Sequence, residues 1–337
     1  MQISSWARPA RLAYSFSILA LTASLAACGG TATTTADGEP AADAGDAVSG
    51  EIQIDGSSTV FPISEAMAEE FQIANPGTQV TVGVSGSGGG FKKFCAGETD
   101  ISNASRPIKD EEVALCGEAG IEFYEVPLAY DGITVVTSQD NDWAQCLTID
   151  QLNTAWSPDS EGSVTSWSQI DPSFPDEPLA LYGPGADSGT FDYFTDEVNG
   201  EEGATRGDYT ASEDDNVIVT GVQNATGGMG YLGYAYYEEN QDSLKSVEIE
   251  NEAGECTAPA TETIADGSYN PMSRPLFFYV KKEAYDNKPE VKAFVDYNLD
   301  PANGELVQEA GYITLPDSDL AASKAIIDDG KLGKNPS

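Results

Sequence analysis

The stretch Glu51–Phe94, EIQIDGSSTVFPISEAMAEEFQIANPGTQVTVGVSGSGGGFKKF, decides the fold. Ile52 and Ile54 alternate with polar neighbours, as in a half-buried strand. The turn Gly56-Ser57-Ser58-Thr59 follows, and then Ile63, Met67, Phe71 and Ala74 recur at helical spacing until Asn75-Pro76-Gly77 stops the helix. Val80, Val82 and Val84 alternate as a second strand that runs into the loop Ser85–Gly90, and Phe91 and Phe94 mark a short helix ending near Gly97. Strand, turn, helix, strand, loop, helix in this order predicts an α/β sheet.

The rest of the chain continues the pattern. Ile101–Ser105 reads as a short strand leading to Arg106-Pro107, and Asp110 as the cap of a helix carrying Val113 and Cys116. Ile121–Val136 contains two strand-like runs around Pro127 and Asp131-Gly132. Leu179–Tyr182 is a strand, Gly183–Gly189 a turn, and Phe191, Phe194 and Val198 share one face of the next helix. The Gly- and Tyr-rich segment Gln223–Tyr237 reads as a packed loop and a helix start. Leu276–Val280 is a buried strand, and Val291, Phe294 and Val295 lie on a helix. The 337 residues allow about two domains of roughly 150 residues each.

Residues 1–27 read as an export signal: Arg8 and Arg11 precede an apolar run from Leu12 to Ala27. The junction Leu25-Ala26-Ala27-Cys28 resembles a bacterial lipoprotein box, which makes Cys28 the expected site of lipidation and the expected membrane anchor. Residues 28–50, rich in Gly, Ala, Thr and acids, read as a flexible tether, so the folded unit is expected to begin near Glu51. Four further cysteines, Cys95, Cys116, Cys146 and Cys256, suggest two disulfides in an exported chain. Three pairings are possible. Cys95–Cys116 with Cys146–Cys256 is favoured, because the first pair closes a short loop within one segment. There is no Cys-x-x-Cys and no histidine, so no metal site is expected.

The formal charge of −40, from 56 acidic and 16 basic residues, excludes general nucleic-acid binding, which needs a basic surface. It also repels anions at long range. Yet three segments have the form of an anion-binding turn: Gly56–Thr59, Ser85–Gly90 and Asp187-Ser188-Gly189-Thr190. Each opens a helix with free N–H groups, hydroxyls and the positive end of the helix dipole. Three such turns suggest a pocket that wraps a small oxyanion, held by local dipoles and by Arg106, whose planar fork suits an oxyanion. A hydrolase is disfavoured: no Gly-x-Ser-x-Gly, no Ser-x-x-Lys and no histidine are present.

These residues resemble the PstS/SphX-like phosphate-binding receptors of bacterial high-affinity phosphate ABC transporters. The resemblance covers most of Ile52–Pro316 and rests on Asp55–Pro62 (DGSSTVFP), Ser85–Phe91 (SGSGGGF), Asp100–Pro107 (DISNASRP) and Gly185–Phe191 (GADSGTF). It implies a type II periplasmic binding protein fold, a Venus flytrap whose two α/β lobes are joined by hinge strands. Lobe I is expected to combine residues 51–130 with 275–335, and lobe II to comprise 131–274. It implies a non-enzymatic, monomeric receptor without a cofactor that delivers inorganic phosphate to permease subunits at the membrane. Ser58, Thr59, the Val60 backbone and Ser87 are the implied ligands from one lobe, and Ser188, Gly189 and Thr190 from the other.

The sequence departs from the best-known branch, which has Asp at the position of Arg106 and Arg shortly before Ser-Gly-Thr. Cation and acid have exchanged lobes, so Arg106 is expected to supply the charge and Asp187 to accept the proton of hydrogen phosphate. Asp55 and Asp131 are alternative acceptors. The alternative functions are a receptor for another tetrahedral oxyanion, such as sulfate or molybdate, and a phosphomonoesterase or phosphate-sensing surface protein.

Overall fold

The computed structural model describes residues 48–186 and 188–335. The residues read as an export signal, Cys28, those read as a tether up to residue 47, and Asp187 lie outside the described residues. The first strand, β1 (Ser49–Gly56), starts slightly ahead of the expected Glu51. It alternates with α1 (Phe61–Ala74), β2 (Gly77–Val84), α2 (Gly86–Cys95), β3 (Ile101–Ala104) and α3 (Asp110–Glu118) before the long strand β4 (Phe123–Ser138). There follow β5 (Cys146–Leu147), α4 (Ile149–Trp156), α5 (Trp167–Ile170), β6 (Ala180–Gly183), α6 (Gly189–Asn199), β7 (Thr210–Ala211) and α7 (Asp215–Gln223). Next come β8 (Gly228–Gly233), α8 (Tyr234–Glu239), β9 (Leu244–Ser246), β10 (Glu248–Glu250), β11 (Cys256–Thr257) and α9 (Thr261–Ala265). The chain returns on β12 (Ser273–Lys281), α10 (Lys282–Asn287), α11 (Pro289–Asn298), α12 (Gly304–Glu309), β13 (Ile313–Thr314) and α13 (Asp317–Asp328).

Strands in the order β2-β1-β3-β12-β4-β8-β6-β7 form one mixed sheet, with β9 and β13 also paired to β4. β4 holds this sheet together. Its first part pairs antiparallel with β12, from Phe123 opposite Lys281 to Gly132 opposite Ser273. From Ile133 onward it pairs with β8 instead. The change of partner carries β4 from one hydrophobic core to a second. Ile52, Ile63, Phe71, Phe278 and Phe294 fill the first core, with Phe91, Phe94 and Tyr279 in an adjoining cluster. Trp156, Trp167, Phe194, Tyr231 and Tyr269 fill the second. Each such side chain contributes about 1.5–3 kcal/mol when fully buried. Both cores are filled from within residues 48–327, so this segment carries its own means of folding.

Three sequence expectations need correction. The two runs around Pro127 are one strand. The β12 register shifts between Leu276, opposite Ala129, and Phe277, opposite Pro127, and this bulge accommodates the proline in the ladder. The segment read as a packed loop contains β8, a strand between β4 and β6. Gly228 and Gly230 are required by close packing: a Cβ at Gly230 would come within 2.8 Å of both the Tyr182 carbonyl and Val222. Asp110 is the first helical residue of α3 rather than its cap, and the Glu112 carboxylate accepts the Lys109 N–H at 2.9 Å.

The disulfides are Cys95–Cys116 and Cys146–Cys256. The first joins α2 to α3 in the core, and the second joins β5 to β11 on either side of β10, with Cys256 exposed. Thiol–disulfide exchange requires access of the attacking thiolate. Treating the native protein with mild reductant and an alkylating agent is therefore expected to label Cys146 and Cys256 first. Labelling of Cys95 and Cys116 should appear only under denaturing conditions. Peptide mass mapping that finds Cys95 and Cys116 labelled first would contradict this packing.

Candidate functional site

The ends of β1, β2 and β3 bring two helix N-termini together. At the end of β1, Gly56 has φ 147°, and a Cβ there would lie 2.1 Å from the Asn103 carbonyl, so only glycine lets the chain turn against β3. The following turn bonds to β3 and to itself: Ser57 N donates to Asn103 O at 3.0 Å, and Thr59 N to Ser57 Oγ at 3.2 Å. The cap residues of α1 and α2, Val60 and Ser85, make no side-chain cap hydrogen bond. Both helix ends therefore lack a side-chain cap, although at α1 the Phe61 N–H is taken by the Ser57 carbonyl at 3.1 Å and Pro62 has no N–H to offer. Ser87, in the first turn of α2, accepts the Ser105 N–H at 3.1 Å and lies 3.2 Å from the Ser105 hydroxyl. Across from them, α6 starts at Gly189, and Ser188 caps it by accepting the Thr190 N–H at 3.2 Å.

Among the described residues, several charged groups beside these loops are already paired. Asp55 is bound by Lys93 at 2.6 Å and by the Ser85 hydroxyl, so its carboxylate serves the interior of its own unit. Arg106 grips Glu112 with both terminal nitrogens, at 2.9 and 2.8 Å, and lies 5.4 Å over the Phe91 ring. The hydrogen bond to Glu112 raises the Arg106 guanidinium further above its ordinary value, against the opposing effect of burial. Burial pushes Glu112 upward, but the bonds from Arg106 and Lys109 hold it below the usual carboxylate range. Asp192 on α6 accepts the Ser58 hydroxyl at 3.3 Å. Burial is the main cause of its raised pKa, with nearby Glu202 adding to it.

Arg274, which sequence reasoning missed, lies where β12 begins. It meets Asp131, its register partner on β4, at 3.2 Å from both Nε and Nη2. Nη2 also donates to Thr59 Oγ1 at 3.0 Å and to the Gly189 carbonyl at 3.5 Å, and the guanidinium lies 3.6 Å from the centre of the Tyr193 ring. Asp131 is 3% exposed. Burial raises its pKa, opposed chiefly by Arg274. A signal was available: Ser273-Arg274-Pro275 repeats the Ser105-Arg106-Pro107 tripeptide, and the chain contains five arginines in all.

The expected ligands divide between two spaces. Ser58, Thr59, Ser87 and Arg106 line a cavity of about 740 Å³ together with Arg274, Lys109 and, on its far wall, Asp192 and Glu197. Ser188, Gly189 and Thr190 line a neighbouring cavity of about 550 Å³ with Asp131, and Ser58 borders both. The partition between them is a direct contact of the loops. A Cβ placed on Gly189 would lie 2.4 Å from Thr59 Oγ1 and under 3.0 Å from its Cα and N. Val60 is fully buried and borders neither cavity, so its backbone N–H is covered in this arrangement of the loops. Asp187 lies outside the described residues. Hydroxyls, helix N-termini and arginines without a nucleophile–imidazole pair suit holding an oxyanion rather than transforming it.

Residues 41–302 match the family model described as a PBP superfamily domain. Protein SphX of Synechococcus elongatus is 49% identical over 265 residues, covering 79% of this chain and 77% of that protein. The phosphate-binding protein PstS of Staphylococcus saprophyticus is 40% identical over 282 residues, covering 83% and 85%. The crystal structure of a possible phosphate-binding protein from Planctomyces limnophilus has a TM-score of 0.80 at 45% identity, covering 84% of this chain and 99% of that one.

The Thr59–Gly189 contact yields a test. Gly189→Ala is expected to hold the two loops apart, because the contact is with backbone as well as side chain. Small-angle scattering should then give a larger radius of gyration than for the unsubstituted protein, with the same circular dichroism. An unchanged radius would mean that this contact does not set the closed state.

Proposed function

We propose that this chain, which belongs to the PBP superfamily of two-lobed α/β binding proteins, is an extracytoplasmic receptor. It binds inorganic phosphate between its lobes and delivers it to the permease of an ABC transporter. The observation that carries the reading is the meeting of hydroxyl-rich helix N-termini from both cores at Thr59 and Gly189. The names of relatives, among them a phosphate-binding protein PstS at 40% identity, support phosphate as the anion and binding rather than catalysis as the activity.

In this reading lobe I comprises residues 51–130 and 275–335, and lobe II residues 131–274. The hinge lies where β4 and β12 pass between them, and the protein acts as a monomer. Cys28 carries the lipid that holds the receptor at the membrane. No helix among the described residues is long and apolar enough to cross a bilayer. Phosphate enters when the Thr59–Gly189 contact opens. Ser58, Thr59, the Val60 N–H, Ser87 and Arg106 take it from lobe I, and Ser188, Gly189 and Thr190 from lobe II. Contacts from both lobes favour the closed state, so binding and closure are linked.

Selectivity follows from the proton. Hydrogen phosphate can donate a hydrogen bond to a carboxylate, which we assign to Asp187, whereas sulfate meets that carboxylate with lone pairs only. A buried polar clash of this kind costs about 1–3 kcal/mol, roughly 5- to 150-fold in affinity. The test is calorimetric titration of residues 46–337, freed of bound ligand by unfolding and refolding, with phosphate and then sulfate. One-to-one phosphate binding with sulfate weaker by that factor is expected, and Asp187→Asn should narrow the gap. Equal binding of both anions would remove the carboxylate from the account, and binding of neither would remove the phosphate reading.

A further inference from the structure

We infer that Arg274 is the principal cation of the anion site, with Asp131 as its buried counter-charge. This rests on the phosphate reading above and names a binding residue for that site.

The first argument is position. β3 and β12 are antiparallel neighbours, with Ala104 opposite Phe277. One Ser-Arg-Pro tripeptide follows the end of β3, and the other opens β12, so Arg106 and Arg274 emerge at the same end of the sheet. Both line the larger cavity. Arg274 stands deeper, with a side chain 15% exposed against 31% for Arg106. It also sits at the crossing of β4, where it reaches Thr59 from one core and Gly189 and Tyr193 from the other.

The second argument is availability. Both terminal nitrogens of Arg106 are held by Glu112 in a short fork, which cancels the charge locally and uses the edge that suits an oxyanion. Arg274 is bound differently. It contacts a single oxygen of Asp131, and at 3.2 Å that contact is longer than the 2.7–2.9 Å usual for charge-assisted bonds. Its Nη1 makes no hydrogen bond to the described residues. An oxyanion at Thr59 can take Nη1 and Nη2 while Nε stays on Asp131. Stacking on Tyr193 fixes the plane of the fork, so little freedom is lost on binding.

The third argument is charge. In a chain of net charge −40, a partly buried cation attracts a bound anion with less screening by salt than an exposed one. Asp131 keeps the guanidinium from standing uncompensated in the empty site.

The experiment compares residues 46–337 with the R106Q, R274Q and D131N/R274Q variants by phosphate titration calorimetry and thermal melts. R274Q strands a buried carboxylate and is expected to melt lower, whereas D131N/R274Q removes both charges and should recover the melting temperature. Phosphate affinity is expected to stay at least ~100-fold reduced in both, and to fall less in R106Q. A folded D131N/R274Q that binds phosphate within ~3-fold of the parent would make the pair a hinge brace only and overturn the inference. A parent that binds no phosphate would instead fell the functional reading on which the inference rests. Should the variants not fold, phenylglyoxal labelling of the parent protein decides. Phosphate is expected to protect Arg274 from the adduct, and equal labelling with and without phosphate overturns the assignment.

Discussion

Asp131 and Arg274 face each other across β4 and β12 where β4 changes partner from β12 to β8, and the arrangement of the cleft depends on this pair. The carboxylate is buried, and breaking such a pair by removing one member costs about 3–5 kcal/mol. The same guanidinium touches Thr59, Gly189 and Tyr193, so the connection between the two cores and the meeting of the two anion loops share one side chain. A change in the angle between the lobes has to rearrange these contacts together. That couples what the loops hold to how the lobes stand.

The strongly acidic composition sits uneasily with an anion ligand, and the local structure resolves the conflict. Near the cleft, Lys93 is neutralised by Asp55 and Arg106 by Glu112. In the proposed reading the grip is therefore shared between the partly buried guanidinium of Arg274 and neutral donors: the N-termini of α1, α2 and α6 and the hydroxyls of Ser58, Thr59 and Ser87. Dipoles fixed by the backbone need no counter-ion and are not cancelled by a distant acidic surface. Long-range repulsion lowers the rate at which anions arrive, whereas short-range donors set how well one is held.

Much of the fold was legible because periodicity carries it. The alternation of Ile52 with Ile54 and of Val80 with Val84, and the helical spacing of Ile63, Met67 and Phe71, reflect burial on one face, and β1, β2 and α1 follow. β8 was missed because glycines stand where a strand would show apolar side chains; Gly228 and Gly230 let Val222 approach, and Gly230 also Tyr182, which is a tertiary demand. The turns of the site were legible from small, hydroxyl-bearing residues ahead of apolar helices. Arg274 was passed over despite its repeated tripeptide, because it stands at the start of a buried strand rather than in a loop. Its value comes from register with Asp131, which lies far away in sequence. Arg106 pairs with Glu112 of the first turn of α3 from the segment just before that helix, a local contact six residues apart.

The claim that both lobes hold one oxyanion is tested most directly by a crystal structure of residues 46–337 grown with arsenate, whose arsenic can be located by anomalous scattering. The account predicts one arsenic peak in the cleft. Its oxygens should lie within hydrogen-bonding distance of Thr59 and Ser87 on one side and of Gly189 or Thr190 on the other. A peak touching residues of only one lobe, or no peak in the cleft, would contradict it.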